Sequence, residues 1–468
     1  VVDRTKGLLG EKDKSGSYQL KYLTERILYI KIRVLSGELI SEEAILMEGA
    51  DDGLSTGDNG TNKFMLFNAG DGSLNNPYKI VNEKQFNNIS HYLSSNFSIT
   101  TNIAFTEDIY PIGSASATVG SINNGVAKEF TGTIEGNNKI LSNVSFKGDG
   151  ASDNQVYYAG LFYGLGADAS IKNLSIQLKG TSTSLQQKTS YVGVLVAGKS
   201  YGTIENVSVS GMMSVVAGSS TTYVGGLVNQ NYGTINGGNN GSIINISIVV
   251  NSTRSSSLGG VAYQNYGTIS KMKVSANGTS QKLQAMNVGG LVVYNYGELK
   301  EDVVRANIVA DGASLNSSEV KAGGLVAYAS SSADSSFTKS SIYGCLVEVK
   351  ITVQNVASNS KANVGGLIGE SVSTSITQTY VALTGLTKTN ASGTINAGKV
   401  YGNYTNAEVS IVYYNSTAVS SVYGTYGTVA PKNEISTTAP QTIVNNLNGS
   451  SSPAIFKYDS GLKLSYEE

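Results

Sequence analysis

The stretch Val224-Gly225-Gly226-Leu227-Val228-Asn229-Gln230-Asn231-Tyr232-Gly233-Thr234-Ile235 decides the fold, because both of its halves return along the chain. Its first phrase recurs as Tyr158-Ala159-Gly160-Leu161, Val192-Gly193-Val194-Leu195, Leu258-Gly259-Gly260-Val261, Val288-Gly289-Gly290-Leu291, Ala322-Gly323-Gly324-Leu325 and Val364-Gly365-Gly366-Leu367. The second recurs as Ser200-Tyr201-Gly202-Thr203-Ile204, Asn265-Tyr266-Gly267-Thr268-Ile269 and Asn295-Tyr296-Gly297-Glu298-Leu299. Successive copies lie about 30 to 34 residues apart, with one interval of about 42, which is the period of a solenoid coil.

Each unit reads as strand, glycine turn, strand, polar turn, strand. The third strand is clearest in Ile244-Asn245-Ile246-Ser247-Ile248-Val249-Val250, where Ile alternates with polar residues and leaves one face for burial. No unit buries that face alone. Coils stacked about 4.8 Å apart pair every strand with its neighbours above and below and share one core, so the expected fold is all-β, a parallel β-helix or β-solenoid. The pairs Gly225-Gly226, Gly259-Gly260, Gly289-Gly290, Gly323-Gly324 and Gly365-Gly366 are assigned to sharp turns or close packing against the next coil, on the ground that glycine takes positive φ at little cost. Asn231, Asn265 and Asn295 should superpose as an amide ladder, and Tyr232, Tyr266 and Tyr296 as an aromatic stack. The functional alternative for this tyrosine row is a platform on which carbohydrate stacks.

Composition agrees with such a stack. Of 468 residues only 14% are charged, against roughly 25% in ordinary soluble domains, while Ser, Thr and Asn together number about 140. Like charges directly above one another repel, whereas hydroxyls and amides do not. With 40% hydrophobic residues and 28 Tyr, disorder is a poor reading. Net charge is −1 and no basic cluster persists, which excludes nucleic acid as a partner. A single histidine, His91, and a single cysteine, Cys345, exclude multi-His and Cys-based zinc sites and an intrachain disulfide. His91 reads as a surface or capping-helix residue, and Cys345, within Ile342-Tyr343-Gly344-Cys345-Leu346-Val347, as a small buried hydrophobe. No G-x-S-x-G elbow serves a triad.

No run of 18 apolar residues is present, so no transmembrane helix is expected, and Val1-Val2-Asp3-Arg4 shows no signal-peptide pattern. The hydroxyl and amide surface suits an extracellular or cell-surface setting. Asn-X-Ser/Thr sequons at Asn59, Asn251, Asn277, Asn316, Asn390 and Asn415 are candidate glycan acceptors in a host that glycosylates.

The flanks divide the chain further. Residues 1–50 form an arm foreign to the repeat, about a third charged, in which Leu28, Ile30, Ile32 and Val34 alternate as a candidate assembly strand. Its partner is the solenoid flank or a neighbouring molecule. Residues 51–70 read as a linker, where Asp51, Asp52 and Asp58 are a weak calcium candidate matching no EF-hand spacing; otherwise no cofactor is expected. Residues 71–154 form an N-terminal cap and first coils, 155–400 the repeat solenoid, and 401–468 the last coils and a closing segment. Within the cap, Asn82 and Gln85 make a capping box, and Phe86, Ile89 and Leu93 share one helical face.

The order Asp71-Gly72-Ser73-Leu74-Asn75-Asn76-Pro77-Tyr78-Lys79-Ile80, the helix ending at Leu93, Asn102-Ile103-Ala104-Phe105, Pro111-Ile112-Gly113 and Phe130-Thr131-Gly132-Thr133-Ile134-Glu135-Gly136-Asn137 resembles the opening of GLUG-repeat proteins. The Gly-Gly-Leu-Val and Asn-Tyr-Gly-Thr-Ile phrases look like the GLUG repeat itself, and Leu447-Asn448 with Phe456-Lys457-Tyr458-Asp459-Ser460-Gly461 resembles the closing segment of such domains. The resemblance covers about residues 70 to 466, and Phe456 stands where the family commonly has Trp. It implies a microbial surface protein, adhesin-like, with a right-handed, pectin-lyase-like parallel β-helix.

Enzymatic β-helices need clustered carboxylates. Between residues 155 and 345 only Glu298, Glu301 and Asp302 lie close in sequence, beside Lys300 and Arg305, and they read as a solvated turn. The expectation is therefore a non-enzymatic protein in adhesion or surface structure, its partner a host or cell-surface glycan or protein. The alternative is a filament subunit that polymerises head to tail, with the arm adding a strand to the next copy.

Overall fold

The computed structural model describes residues 9–12, 18–20, 28–30, 44–46, 67–113, 129–147, 149–150, 156–180, 182–184, 189–218, 221–252, 254–312, 319–332, 334–405, 407–415 and 440–467. The described chain is nearly all β, a parallel solenoid of about eight turns with two short α-helices. No helix among the described residues is long and apolar enough to cross a membrane.

Three flanks run the length of the solenoid. The first stacks Val156–Ala159, Thr189–Gly193, Thr222–Gly225, Ser256–Gly259, Asn287–Gly289, Glu319–Gly323, Lys361–Gly365 and Thr394–Gly398, each parallel to the next. The second, a seven-stranded sheet, runs from Val196–Ser200 to Tyr401–Tyr404 through the strands that end in Asn231, Asn265 and Asn295. The third holds the longest strands, from Thr133–Val144 and Thr203–Gly218 to Thr374–Thr389 and Ala407–Asn415. Alternation decides what each strand buries: in Ser242–Ser252, Ile244, Ile246, Ile248 and Val250 face the core while Ile243 is 46% exposed.

The glycine pairs act by close approach and not by positive φ, which none of the ten adopts. A Cβ on Gly225, Gly259, Gly289, Gly323 or Gly365 would overlap the carbonyl oxygen three residues on, at the start of the second flank. One on Gly226, Gly260, Gly290, Gly324 or Gly366 would overlap a carbonyl oxygen of the following coil. Positive φ is used instead at the kink of the third flank, by Asn173, Asn206, Lys271, Glu301, Gly344 and Gln378.

At the N-terminal side the helix Glu83–Asn87 continues as a 3-10 turn, Asn88–His91, so His91 ends the capping segment. The Gln85 amide donates to Asn82 Oδ1 at 2.9 Å, but Gln85 Oε1 accepts from Val81 N instead of Asn82 N. Phe86 and Ile89 are fully buried and Leu93 is partly buried; Phe86 meets Phe105 and Phe162 edge-on. In the arm, Leu28–Ile30 pairs antiparallel with Ala44–Leu46 of the same chain, and Leu9–Lys12 pairs with Tyr18–Leu20. Ile32 and Val34 lie outside the described residues.

The closing segment folds back along the third flank. Its helix Pro440–Asn448 and hairpin Phe456–Tyr458/Leu462–Leu464 bring Val444, Leu447, Ile455, Phe456 and Leu464 onto Val303, Leu346 and Tyr413. Gln378 Nε2 donates to the carbonyls of Leu447 and Asn448, both at 2.8 Å, and Arg305 bridges Glu348 (2.7 Å) and Glu467 (2.6 Å).

Asp302 lies beside this seam, and the solvated-turn reading fails for it. The carboxylate is fully buried, accepting from Met272 N (2.9 Å) and Lys300 N (3.1 Å), and burial holds its pKa well above the ordinary range. The cause is local: Glu301 sits at φ 56°, which resets the in-out alternation and turns the next side chain inward. Cys345 occupies the equivalent position one coil on, buried in the same core.

Candidate functional site

The polar turn between the second and third flanks places tyrosine outside and asparagine inside. Inside, Asn231 Nδ2 donates to Asn265 Oδ1 and Asn265 Nδ2 to Asn295 Oδ1, each at 2.8 Å, and Asn295 Nδ2 ends the run on Ser340 Oγ at 2.7 Å. All three amides are fully buried. Each also donates to the carbonyl two residues on, Gly233, Gly267 or Gly297, so the ladder satisfies the turn backbone as well as its neighbours.

Outside, four rings stack in one row. Tyr201–Tyr232 centroids lie 5.0 Å apart, Tyr232–Tyr266 4.4 Å with planes 8° apart, and Tyr266–Tyr296 4.9 Å. The coil rise sets this spacing and the shared turn sets the parallel planes. Lys199 Nζ lies 5.2 Å from the centre of the Tyr232 ring. Burial, reinforced by Tyr266, pushes the Tyr232 phenol up to about 12. Stacking covers both faces of Tyr232 and Tyr266, so the row presents edges and hydroxyls outward.

A second tyrosine row, missed in the sequence reading, lines the glycine corner between the first and second flanks. Tyr158, Tyr191 and Tyr223 follow one another at 5.3 Å; Tyr223 then meets Tyr263 at 4.6 Å, Tyr263 meets Tyr294 at 5.5 Å, and Tyr294 meets Tyr328 at 5.6 Å. Tyr294 also stacks on Tyr296 at 6.3 Å, which joins the two rows, while Tyr263 in the middle of the second is buried against Val293 and Ala327. The signal was a tyrosine two residues before the glycine turn, at Tyr158, Tyr191 and Tyr223. Where this row ends, Lys321 bridges Glu319 (2.9 Å) and Glu370 (3.3 Å), Lys361 holds Glu319 (2.9 Å), and Asn363 Nδ2 donates to both carboxylates. Burial favours neutral Lys321, but its Glu319 hydrogen bond and the Glu370 charge outweigh this and keep its pKa raised. The network pairs two cations with two anions, leaving an aromatic surface bounded by a neutral polar patch.

The remaining expected residues are scattered. Asn251, Asn277 and Asn390 are exposed, Asn415 ends the strand Ala407–Asn415, and Asn59 and Asn316 lie outside the described residues. So do Asp51, Asp52 and Asp58. A shorter polar ladder that the sequence reading did not identify links Asn206 Nδ2 to Asn173 Oδ1 (2.8 Å) and Asn173 Nδ2 to Glu135 (3.0 Å) at the third-flank kink; its signal is Asn after Ile-x in Ile171-Lys172-Asn173 and Ile204-Glu205-Asn206.

Fold and surface together define a β-solenoid with a tyrosine-lined exterior. No protein-family model matches the chain. A protein of Evansella cellulosilytica provisionally assigned as a Gly-rich membrane protein is 31% identical over 147 residues, 31% of this chain and 16% of its own length. Two solved structures are similar at 14% identity: an IgA1 protease, over 72% of this chain and 21% of that one with a TM-score of 0.36, and a Bacteroides ovatus protein provisionally assigned as an immunoglobulin A1 protease, over 86% and 96% with a TM-score of 0.33. The chain thus spans less than a quarter of the length of the Evansella relative and of the first of these structures.

Proposed function

We propose that the chain is a non-enzymatic, extracellular or cell-surface β-solenoid that works in adhesion, with its tyrosine surface meeting the partner. The observation that carries this reading is the stacked row Tyr201-Tyr232-Tyr266-Tyr296, four rings on successive coils whose edges reach solvent. Tyrosine is favoured at interfaces because a rigid ring supplies apolar area and its hydroxyl a hydrogen bond. The motif resemblance to GLUG-repeat surface proteins supports the same reading. Because ring faces in the stacked row are covered, the partner meets edges and hydroxyls, which favours a protein or the polar rim of a glycan over a sugar ring laid flat on an aromatic face.

The filament alternative rests on the arm, where Leu28–Ile30 pairs in-chain with Ala44–Leu46 along one edge of a two-stranded sheet. Binding of the protein to immobilised host-surface proteins and to a glycan array, beside a Tyr232→Ser/Tyr266→Ser/Tyr296→Ser variant, tests the proposal. Signal lost in the variant with the β-sheet spectrum retained is the expected result. Equal signal from both proteins, or no binder together with filaments in negative-stain micrographs, contradicts it.

A further inference from the structure

The geometry points to the Tyr232–Tyr266 pair as a site of oxidative cross-linking, where neighbouring coils become joined by a dityrosine bond. Three observations meet there. Among the described tyrosine pairs it is the closest, at 4.4 Å, with planes only 8° apart, so two rings on adjacent coils are held face to face, one over the other, before any reaction. It lies inside a relay: Tyr201, 39% exposed, sits 5.0 Å from Tyr232 on one side, and Tyr296 sits 4.9 Å from Tyr266 on the other. An electron removed at the exposed end can therefore be supplied from the next ring along the row. Two common competitors are removed, for the chain has no Trp and its one cysteine is buried at Cys345. The Asn231-Asn265-Asn295 ladder fixes the backbone behind the rings, which lowers the orientational cost of coupling.

The chemistry closes with an oxidant of the peroxidase–peroxide class. Each phenol gives up one electron and its hydroxyl proton, leaving two phenoxyl radicals. A carbon–carbon bond forms between their ortho positions, and the two ortho hydrogens move to the oxygens as the rings regain aromaticity. The pair has then lost two protons and two electrons, which convert one hydrogen peroxide into two waters. The product is a covalent strut between two coils at the outer turn, a means of hardening the stack after folding that does not depend on the adhesive role.

The test is oxidation of the dilute full-length chain by a haem peroxidase with hydrogen peroxide, followed by dityrosine fluorescence, a denaturing gel and peptide mapping. The expected result is a monomeric band, blue dityrosine emission unobscured by tryptophan, and a cross-linked peptide joining Tyr232 to Tyr266. Tyr266→Phe keeps the ring and the stack but loses that peptide, whereas Tyr458→Phe, an exposed tyrosine outside the rows, retains it. No dityrosine in the monomer, coupling only between molecules or at other tyrosines, or an unchanged yield in Tyr266→Phe overturns the inference. Circular dichroism of each variant separates loss of coupling from loss of fold.

Discussion

The tyrosine row Tyr201-Tyr232-Tyr266-Tyr296 and the row Val303-Leu346-Tyr380-Tyr413 both point away from the core, yet the solenoid finishes them in opposite ways. The first covers itself, ring on ring, and leaves its edges in water. The second is covered by another part of the chain, the helix Pro440–Asn448 and the hairpin after it. Outward positions of a stacked fold repeat every coil, so any apolar choice becomes a stripe, and a long stripe left bare is an association hazard. Stacked tyrosine with a solvated hydroxyl tolerates exposure; Val and Leu need a cover. Stability should therefore reside more in the covered flank than in the stacked tyrosine row, which the proposed adhesive role would use for binding.

The largest effect is expected on the covered flank. Phe456→Ala removes a fully buried ring from the seam and should cost about 3–5 kcal/mol in chemical denaturation, with dye-binding apolar surface appearing before the main transition. Next comes the amide ladder behind the tyrosines. Asn265→Ala strands the Gly267 and Glu298 carbonyls together with its two ladder neighbours, and a loss of about 2–3 kcal/mol is expected in the same assay.

Asp302 sharpens the comparison through pH. Burial raises its folded pKa above the unfolded value of about 4, so the folded state holds more protons and stability falls as pH rises from about 4 until the buried carboxyl ionises. A pH series of denaturation midpoints should show Asp302→Asn flattening this slope while leaving the arm of the curve below pH 4 in place. The smallest effect belongs to the tyrosine row. Tyr266→Ala should cost about 1–2 kcal/mol, because the ring is half-buried and loses mainly its two stacking contacts. A loss as large as that of Phe456→Ala would erase the distinction between the two rows.

Much of the architecture was legible because a solenoid writes its structure at a fixed period. The same residue at the same phase, as in Asn231, Asn265 and Asn295, predicts superposition without any knowledge of distant contacts. Beyond the second tyrosine row and the Asn173-Asn206 ladder, three features escaped for physical reasons. The Glu319-Lys321-Glu370 network joins side chains from different flanks and coils, which sequence spacing does not bring together. Asp302 hides behind the positive φ of Glu301, a conformation that glutamate rarely announces. The covered flank had a visible sign, adjacent apolar pairs such as Val303-Val304 and Leu346-Val347, where both faces of a strand are buried and strict alternation fails.

Whether the stacked row Tyr201-Tyr232-Tyr266-Tyr296 serves binding and not folding is decided by paired measurement on the Tyr232→Ser/Tyr266→Ser/Tyr296→Ser variant. Its denaturation midpoint and its affinity for whichever immobilised host-surface protein or glycan retains the wild-type chain are read side by side. The expected result is a fold that remains cooperative and affinity reduced at least about tenfold, which corresponds to ~1.4 kcal/mol. Unchanged affinity in a well-folded variant would contradict it.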